Sequence, residues 1–245
     1  MLEKIKTENI LFLDIETTAT EHEYSELNDR LKELWAKKTN WLAQKEGKTA
    51  EELYEKAGIW AEFGKVVCIS VGVIKSKNDN HLLRIKSFYG HNEKALLENF
   101  AFLLNTHYYK DKHHLCGHNG KEFDFPYIAR RMLINEIKIP RILATSGKKP
   151  WEVNHLDTME MWKFGDRKHY TSLDLLATLF NIPSPKDGID GSLVNKIYWE
   201  ENDLQKIADY CQKDVITVCK LFQKLRGQYS FKDVHIEISK PTITN

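Results

Sequence analysis

The stretch Ile10-Leu11-Phe12-Leu13-Asp14-Ile15-Glu16-Thr17-Thr18 sets the reading of the whole chain. Four consecutive apolar residues lead into two acids separated by one isoleucine, then into two threonines. An apolar run of this kind reads as a strand buried on both faces, at the centre of a sheet covered by helices. In a strand, residues i and i+2 point the same way, so Asp14 and Glu16 aim two negative charges at one spot. Burying a carboxylate costs several kcal/mol unless its charge is compensated. Two that converge either share a proton or hold a cation, and a divalent metal answers both charges. The bland alternative ends the strand at Leu13 and leaves both acids solvated. With 14 Asp and 21 Glu in the chain, a D-x-E is expected roughly once by chance, so partners elsewhere have to carry the argument.

The chain has 245 residues, enough for one substantial core in a single α/β domain spanning 1–245. Lys plus Arg number 36 and Asp plus Glu 35, so net charge favours no class of partner. Residues 138–169 hold seven bases and four acids, which suits a phosphate-facing surface or a plain solvated one. Cys68, Cys116, Cys211 and Cys219 show neither C-x-x-C pairing nor zinc-like spacing, and each lies in an apolar context. No signal peptide or spanning apolar run is visible. The expectation is a soluble, cytoplasmic protein without disulfides or membrane contact.

Working outward from the first strand, residues 21–62 read as a helical insertion. Leu27, Leu31, Leu34 and Trp35 fall at helical spacing, and Glu51 to Gly58 reads as a second helix stopped by glycine. Trp35, Trp41 and Trp60 are expected to pack this segment down. Lys65 to Ile74 is a second strand and His81 to Tyr89 a third, joined as a hairpin through Asn78-Asp79-Asn80. Glu93 to Asn105 is an amphipathic helix, and His114-Leu115-Cys116 a short strand. Asp124 stands at or beside the start of a helix that runs to about Asn135, with Pro126 in its first turn. Val153 to Asp157 reads as a fifth strand, with His155 and Asp157 as structural members. Thr171-Ser172-Leu173-Asp174 opens a helix in capping-box style. Residues 181–191 form a Pro/Gly loop that exposes Lys186. Asn202 is expected to cap a last long helix ending near Arg226 and Gly227, and 228–245 is left as a C-terminal extension. On that helix Tyr210 and Asp214 lie one turn apart, beside an apolar face that includes Cys211.

Three segments now stand in order: Asp14-Ile15-Glu16, His118-Asn119-Gly120-Lys121-Glu122-Phe123-Asp124-Phe125-Pro126-Tyr127, and Tyr210-Cys211-Gln212-Lys213-Asp214. They resemble the three exonuclease motifs of the DEDD superfamily in its tyrosine form, DEDDy, within the ribonuclease H-like order of strand, hairpin, helix, strand, helix. The middle motif resembles the proofreading domain of family B DNA polymerases. Leu173-Asp174-Leu175-Leu176-Ala177 followed by Ile182-Pro183-Ser184-Pro185-Lys186 is similar to stand-alone, polymerase-B-like bacterial exonucleases. The similarity runs from about residue 9 to 225 and departs at the 21–62 insertion. Y-x-x-x-D alone is expected about 0.6 times by chance, so it is the ordered set that is specific.

The resemblance implies a ribonuclease H-like α/β fold, a mixed central sheet flanked by helices. It implies Mg²⁺ or Mn²⁺, two per active site, held by Asp14, Glu16, Asp124 and Asp214, with Tyr210 orienting the attacking water. Independently of any family, hydrolysis of a phosphodiester develops charge on the entering and leaving oxygens, which two hard cations can stabilise and which carboxylates can hold. A phenol of pKa about 10 is a poor base at neutral pH, so orientation suits Tyr210 better than proton abstraction. Thr17, Thr18, His118, Asn119, Phe123 and Lys186 are candidate substrate contacts, with strand or loop structure as the competing role for the threonines and His118. The expected activity is 3′–5′ exonuclease action on single-stranded DNA ends, releasing nucleoside 5′-monophosphates. RNA 3′ ends would be served by the same four carboxylates, because sugar discrimination depends on contacts to the 2′-hydroxyl. A ribonuclease H-like transposase or resolvase has no need of Tyr210. A catalytically inactive nucleic-acid-binding module is expected to have lost a ligand, and this chain keeps all five signature residues.

Overall fold

The computed structural model describes residues 5–77, 80–166, 170–183, 191–228 and 234–244. The opening stretch forms β1 (Ile10–Ala19), so Asp14 and Glu16 lie inside the strand rather than at its end. A helix α1 (Asp29–Glu46) follows. Then β2 (Gly64–Lys77) and β3 (Asn80–Gly90) form the expected antiparallel hairpin; its turn at Asn78 and Asp79 lies outside the described residues. The chain continues through α2 (Glu93–His107), β4 (His114–Gly117) and α3 (Asp124–Ile134). Next come β5 (Leu156–Asp157), α4 (Thr158–Lys163), α5 (Leu173–Leu179), a single turn α6 (Val194–Lys196) and the long α7 (Leu204–Leu225). The strand order is β5-β4-β1-β2-β3-β6, with β6 (His235–Ile238) and β7 (Thr242–Thr244) both parallel to β3. The sheet is mixed, β1 is central, and the ribonuclease H-like order is present. Within the C-terminal stretch, His235–Ile238 and Thr242–Thr244 thus belong to the sheet.

Alternation along β1 assigns its two faces. Leu11, Leu13 and Ile15 join Leu96, Phe100 and Ile128 under α2 and α3. Ile10 and Phe12 join Val215, Val218, Cys219 and Phe222 of α7, and the Phe12 and Phe222 rings meet edge-on at 5.3 Å. Each fully buried side chain of this size contributes about 1.5–3 kcal/mol. Asp14 and Glu16 continue the even-numbered set and therefore face α7. That helix approaches closely because Gly72 on β2 has no side chain: a Cβ there would lie 2.9 Å from Val215 Cγ1 and 3.0 Å from Ile85 Cδ1.

Several local expectations change. The insertion contains one α-helix, capped by Asn28 and stopped by left-handed Gly47. The second expected helix is only a 3₁₀ turn, Tyr54–Ile59. Trp35 is its core, with Tyr54, Trp60 and Phe63 edge-on around it and its indole N–H donated to the Ala50 carbonyl at 2.7 Å. Trp41, by contrast, is 69% exposed and packs nothing down. The cap of α7 is Asp203, which accepts from Lys206 N–H; Asn202 is left-handed and ends a π-helical turn, Ile197–Glu201. An extra turn placed before the helix moved the cap by one residue. The fifth strand keeps only Leu156 and Asp157, paired with Cys116 and Gly117; ahead of them the Leu115 N–H donates to the His155 ring at 3.4 Å.

Candidate active site

Three elements deliver the four acids. Asp14 and Glu16 come from β1, Asp124 from the first turn of α3, and Asp214 from α7. β4 stops pairing with β1 at Phe12, so on that side the Ile15 N–H has no strand carbonyl to meet. Asp124 takes the carbonyl's place, accepting the Ile15 N–H at 3.1 Å. The pairing of β1 with β2 slips between Glu16 and Thr17, leaving Val67 as the extra residue of a bulge. Such a bulge increases local twist and re-aims side chains at the end of a strand.

The site is crowded with like charge. Burial, then Asp124, Asp214 and Glu16, raise Asp14 well above the usual carboxylate range. Glu16 is raised by burial and, among the acids, most by Asp214. Asp124 is pushed up to about 7 by burial, against the opposing effect of backbone N–H bonds including that of Ile15. Tyr210 is raised as well, by burial and then by Asp214, to whose carboxylate it donates a hydrogen bond. The phenol therefore stays protonated and acts as a donor. On α7, one residue after Tyr210, the Cys211 thiol donates to the Asp14 carbonyl at 3.4 Å and lies 3.5 Å from its Oδ2. Ligand atoms of Asp14, Glu16 and Cys211 all lie within 4.8 Å of one another. Burial raises the thiol, so the neutral form is favoured and the anionic donors are carboxylate oxygens. Hard, negatively charged oxygens with mutual repulsion fit a divalent cation.

The softer candidates divide. Thr17 donates its hydroxyl to the Gly58 carbonyl at 2.8 Å, and fully buried Thr18 donates to Asn195 Oδ1 at 2.6 Å. Both hydroxyls are thus engaged within the protein. His118 uses both ring nitrogens, one with Thr158 Oγ1 and one with the Thr171 carbonyl, and burial lowers its pKa. Asn119 is left-handed (φ 61°), and among the described residues its buried Oδ1 has no partner. Phe123 is half-buried at the start of α3, tilted against Tyr127 at 5.3 Å. Lys186 lies outside the described residues.

Some residues of the site carried no clear signal in the sequence. Cys211 sits in the Y-x-x-x-D segment but read only as part of the apolar face. Asp157 holds the middle motif in shape: its carboxylate accepts the N–H groups of Asn119 (3.0 Å), Lys121 (3.1 Å) and Met159 (2.9 Å). Asn195 bonds both Thr18 and the Ala19 N–H, from a stretch without periodic pattern.

A mixed sheet that brings a D-x-E, a helix-start aspartate and a Y-x-x-x-D to one buried point defines a 3′–5′ exonuclease domain, a phosphodiester hydrolase. The chain belongs to the family described as predicted 3′–5′ exonucleases related to the exonuclease domain of PolB, whose model matches residues 59–240. The match includes the middle and last motifs and excludes β1 and most of the insertion. At 27% identity over 189 residues the chain is also similar to DNA polymerase 120R of Invertebrate iridescent virus 3. That similarity covers 62% of this chain and 16% of the polymerase, so the chain spans a small part of its relative's length. Exonuclease domains of this kind use divalent metals and act on nucleic acid. Among the described residues no helix is long and apolar enough to cross a membrane, and the four cysteines are free and buried.

Proposed function

We propose that the chain is a two-metal-ion 3′–5′ exonuclease that trims single-stranded DNA from its 3′ end and releases nucleoside 5′-monophosphates. One observation carries the reading: four carboxylates from three elements crowd one point, where Asp124 and Asp214 raise the pKa values of Asp14 and Glu16 and Tyr210 overlooks them from α7. Asp14, Glu16 and Asp214 would hold one cation, and Asp14 with Asp124 the other. When bound, Mg²⁺ or Mn²⁺ would neutralise charge on the entering and leaving oxygens and acidify water. The protein's own groups do the rest. Asp124, pinned to the Ile15 N–H, holds α3 against β1. The protonated Tyr210 orients the attacking water through its hydroxyl. The Cys211 thiol, within reach of both the Asp14 carbonyl and its Oδ2, helps hold that residue in place.

Similarity to a protein named as a DNA polymerase favours DNA over RNA as the substrate. The test is a matched set of 3′- and 5′-labelled DNA and RNA oligonucleotides with Mg²⁺, Mn²⁺ or EDTA. Metal-dependent release of mononucleotides from DNA 3′ ends is expected. Preferential degradation of RNA would reassign the substrate, and cutting of circular single strands would point to an endonuclease.

A further inference from the structure

The face of the sheet that α7 covers is apolar on either side of a polar level. Tyr89 clusters with Ile207 in the first half of the helix, and Ile85 with Val215 in the second. Between them runs one rung of paired residues: Asp14 on β1 stands opposite Ser70 on β2, and Ser70 opposite Ser87 on β3. The two serine hydroxyls meet at 2.8 Å, and Gln212 of α7 donates its Nε2 to Ser87 Oγ at 3.0 Å. Ser70, Ser87 and Gln212 are all buried. Towards the acids the chain of contacts continues. Ser70 Oγ lies 3.7 Å from Cys68 Sγ, and Cys68 hydrogen-bonds Cys211, whose thiol reaches Asp14.

Stability alone does not call for such a rung. Replacing both partners of a buried hydrogen bond by apolar groups of the same shape is nearly neutral, whereas leaving one partner unpaired is costly. What the bond adds is uniqueness, because a fully satisfied buried network specifies a single packing. An apolar helix face can shift on an apolar sheet and find new neighbours. The Gln212 amide cannot, since its acceptor stands at one level. On the same face of β3, Ile85 offers no acceptor and the Tyr89 hydroxyl is engaged with Gln205 at 2.6 Å. A slip of α7 by one residue would move each side chain about 1.5 Å along the axis and turn it by about 100°. Tyr210 and Asp214, two residues to either side of Gln212, would move with it.

We infer that Gln212 is a positioning residue: its bond to Ser87 fixes the register of α7 on the sheet and so holds Tyr210 and Asp214 over Asp14. The inference rests on the exonuclease reading. It gives a role to a side chain of the Y-x-x-x-D segment that points into the sheet, away from the reacting atoms.

The experiment compares the wild-type chain with Gln212→Leu/Ser87→Ala, which removes donor and acceptor together. Its melting temperature in EDTA is expected to stay close to that of wild type. Mn²⁺ affinity, read by calorimetry on EDTA-treated protein, should fall about tenfold, because a ligand displaced by a fraction of an ångström no longer meets the cation squarely. At saturating Mn²⁺, kcat on a 3′-labelled single strand should fall by about tenfold or more with KM unchanged. Ser87→Ala alone deletes a single oxygen, so it carries the same test on a folded protein should the pair not fold. Affinity and kcat should move in the same direction in it. Wild-type Mn²⁺ affinity and kcat in either variant, whatever its melting temperature, would make the rung packing alone and overturn the assignment. Mononucleotide release by the wild type judges the exonuclease reading separately, and Mn²⁺ affinity judges the register even if that reading fails.

Discussion

The carboxylate of Asp124 accepts the backbone N–H of Ile15, the residue between Asp14 and Glu16 on β1. One hydrogen bond thus joins two motifs that lie 109 residues apart in the chain. It makes Asp124 both a charge in the site and a clamp between α3 and the central strand, and the two roles separate by substitution. Asp124→Asn keeps an acceptor for Ile15 and removes the charge. It should lower single-turnover cleavage by at least a hundredfold with the melting temperature in EDTA unchanged or raised. Asp124→Ala also leaves the Ile15 N–H unpaired and should cost a further 1–2 kcal/mol or so in denaturant unfolding.

Metal binding should be visible as stability. Removing the repulsion among Asp14, Glu16, Asp124 and Asp214 favours the folded protein, so at about a hundred times Kd a bound cation adds roughly 2.7 kcal/mol. For a chain of this size that is a rise of about 5–10 °C in Tm over EDTA. Differential scanning fluorimetry with Mg²⁺, Mn²⁺ and EDTA checks it. Asp14→Ala should raise the EDTA melting temperature or leave it alone, abolish the metal-dependent rise and remove activity.

Tyr210 donates to Asp214 and keeps its proton, so the role we propose for it is orientation of the water. Losing a water-orienting hydrogen bond typically removes about 2–3 kcal/mol of transition-state stabilisation, roughly a 30- to 150-fold change in rate. Tyr210→Phe should slow the single-turnover step by that factor with the metal-induced rise in Tm preserved. A wild-type rate in this variant would remove Tyr210 from the chemistry.

Gly58 packs against the backbone of Thr17 and Thr18. Gly58→Ala should destabilise by about 1–3 kcal/mol, as overpacking does, and displace the 3₁₀ turn from the end of β1. Urea unfolding reads the first effect. A KM for single-stranded DNA that rises more than kcat falls reads the second.

His155 supplies a pH dependence away from the acids. It lies between the Ile142 carbonyl, 3.0 Å from Nε2, and the Leu115 N–H, 3.4 Å from Nδ1, a pairing that suits the neutral ring. Burial holds its pKa down to about 4, with the cations around it adding to the effect. An unfolded histidine titrates near 6.5. Stability from this residue is therefore complete above pH 6.5 or so and is lost as pH falls from there towards 4, because only the unfolded chain takes up the proton. The loss is of order 3 kcal/mol. His155→Gln should flatten the slope of unfolding free energy against pH by up to one proton in that window, whatever the absolute stability of the variant.

The sequence by itself determined the core strand, the hairpin, the order of helices and strands, and the three segments that bring Asp14, Glu16, Asp124, Tyr210 and Asp214 together. These rest on short-range regularities: four apolar residues in a row, i,i+2 alternation in β1, one-turn spacing between Tyr210 and Asp214. Alternation along one strand says which side chains share a face before any partner is known. Turn details were less legible. Asn202 looked like a cap, yet Asp203 is the cap, because the choice depends on the π-helical turn packed before it.

Only the tertiary structure decided what surrounds the acids. Cys211 beside Asp14, Asp157 gathering the N–H groups of the middle motif, Gly58 and Asn195 held by Thr17 and Thr18: each joins residues 36 to 197 positions apart. No local pattern encodes such contacts, since a hydroxyl on a strand end or an asparagine in an aperiodic stretch has many possible partners. Which one it meets is settled by the packing of α7, α3 and the insertion around β1, and by glycines at positions 58 and 72 that let backbone and helix approach.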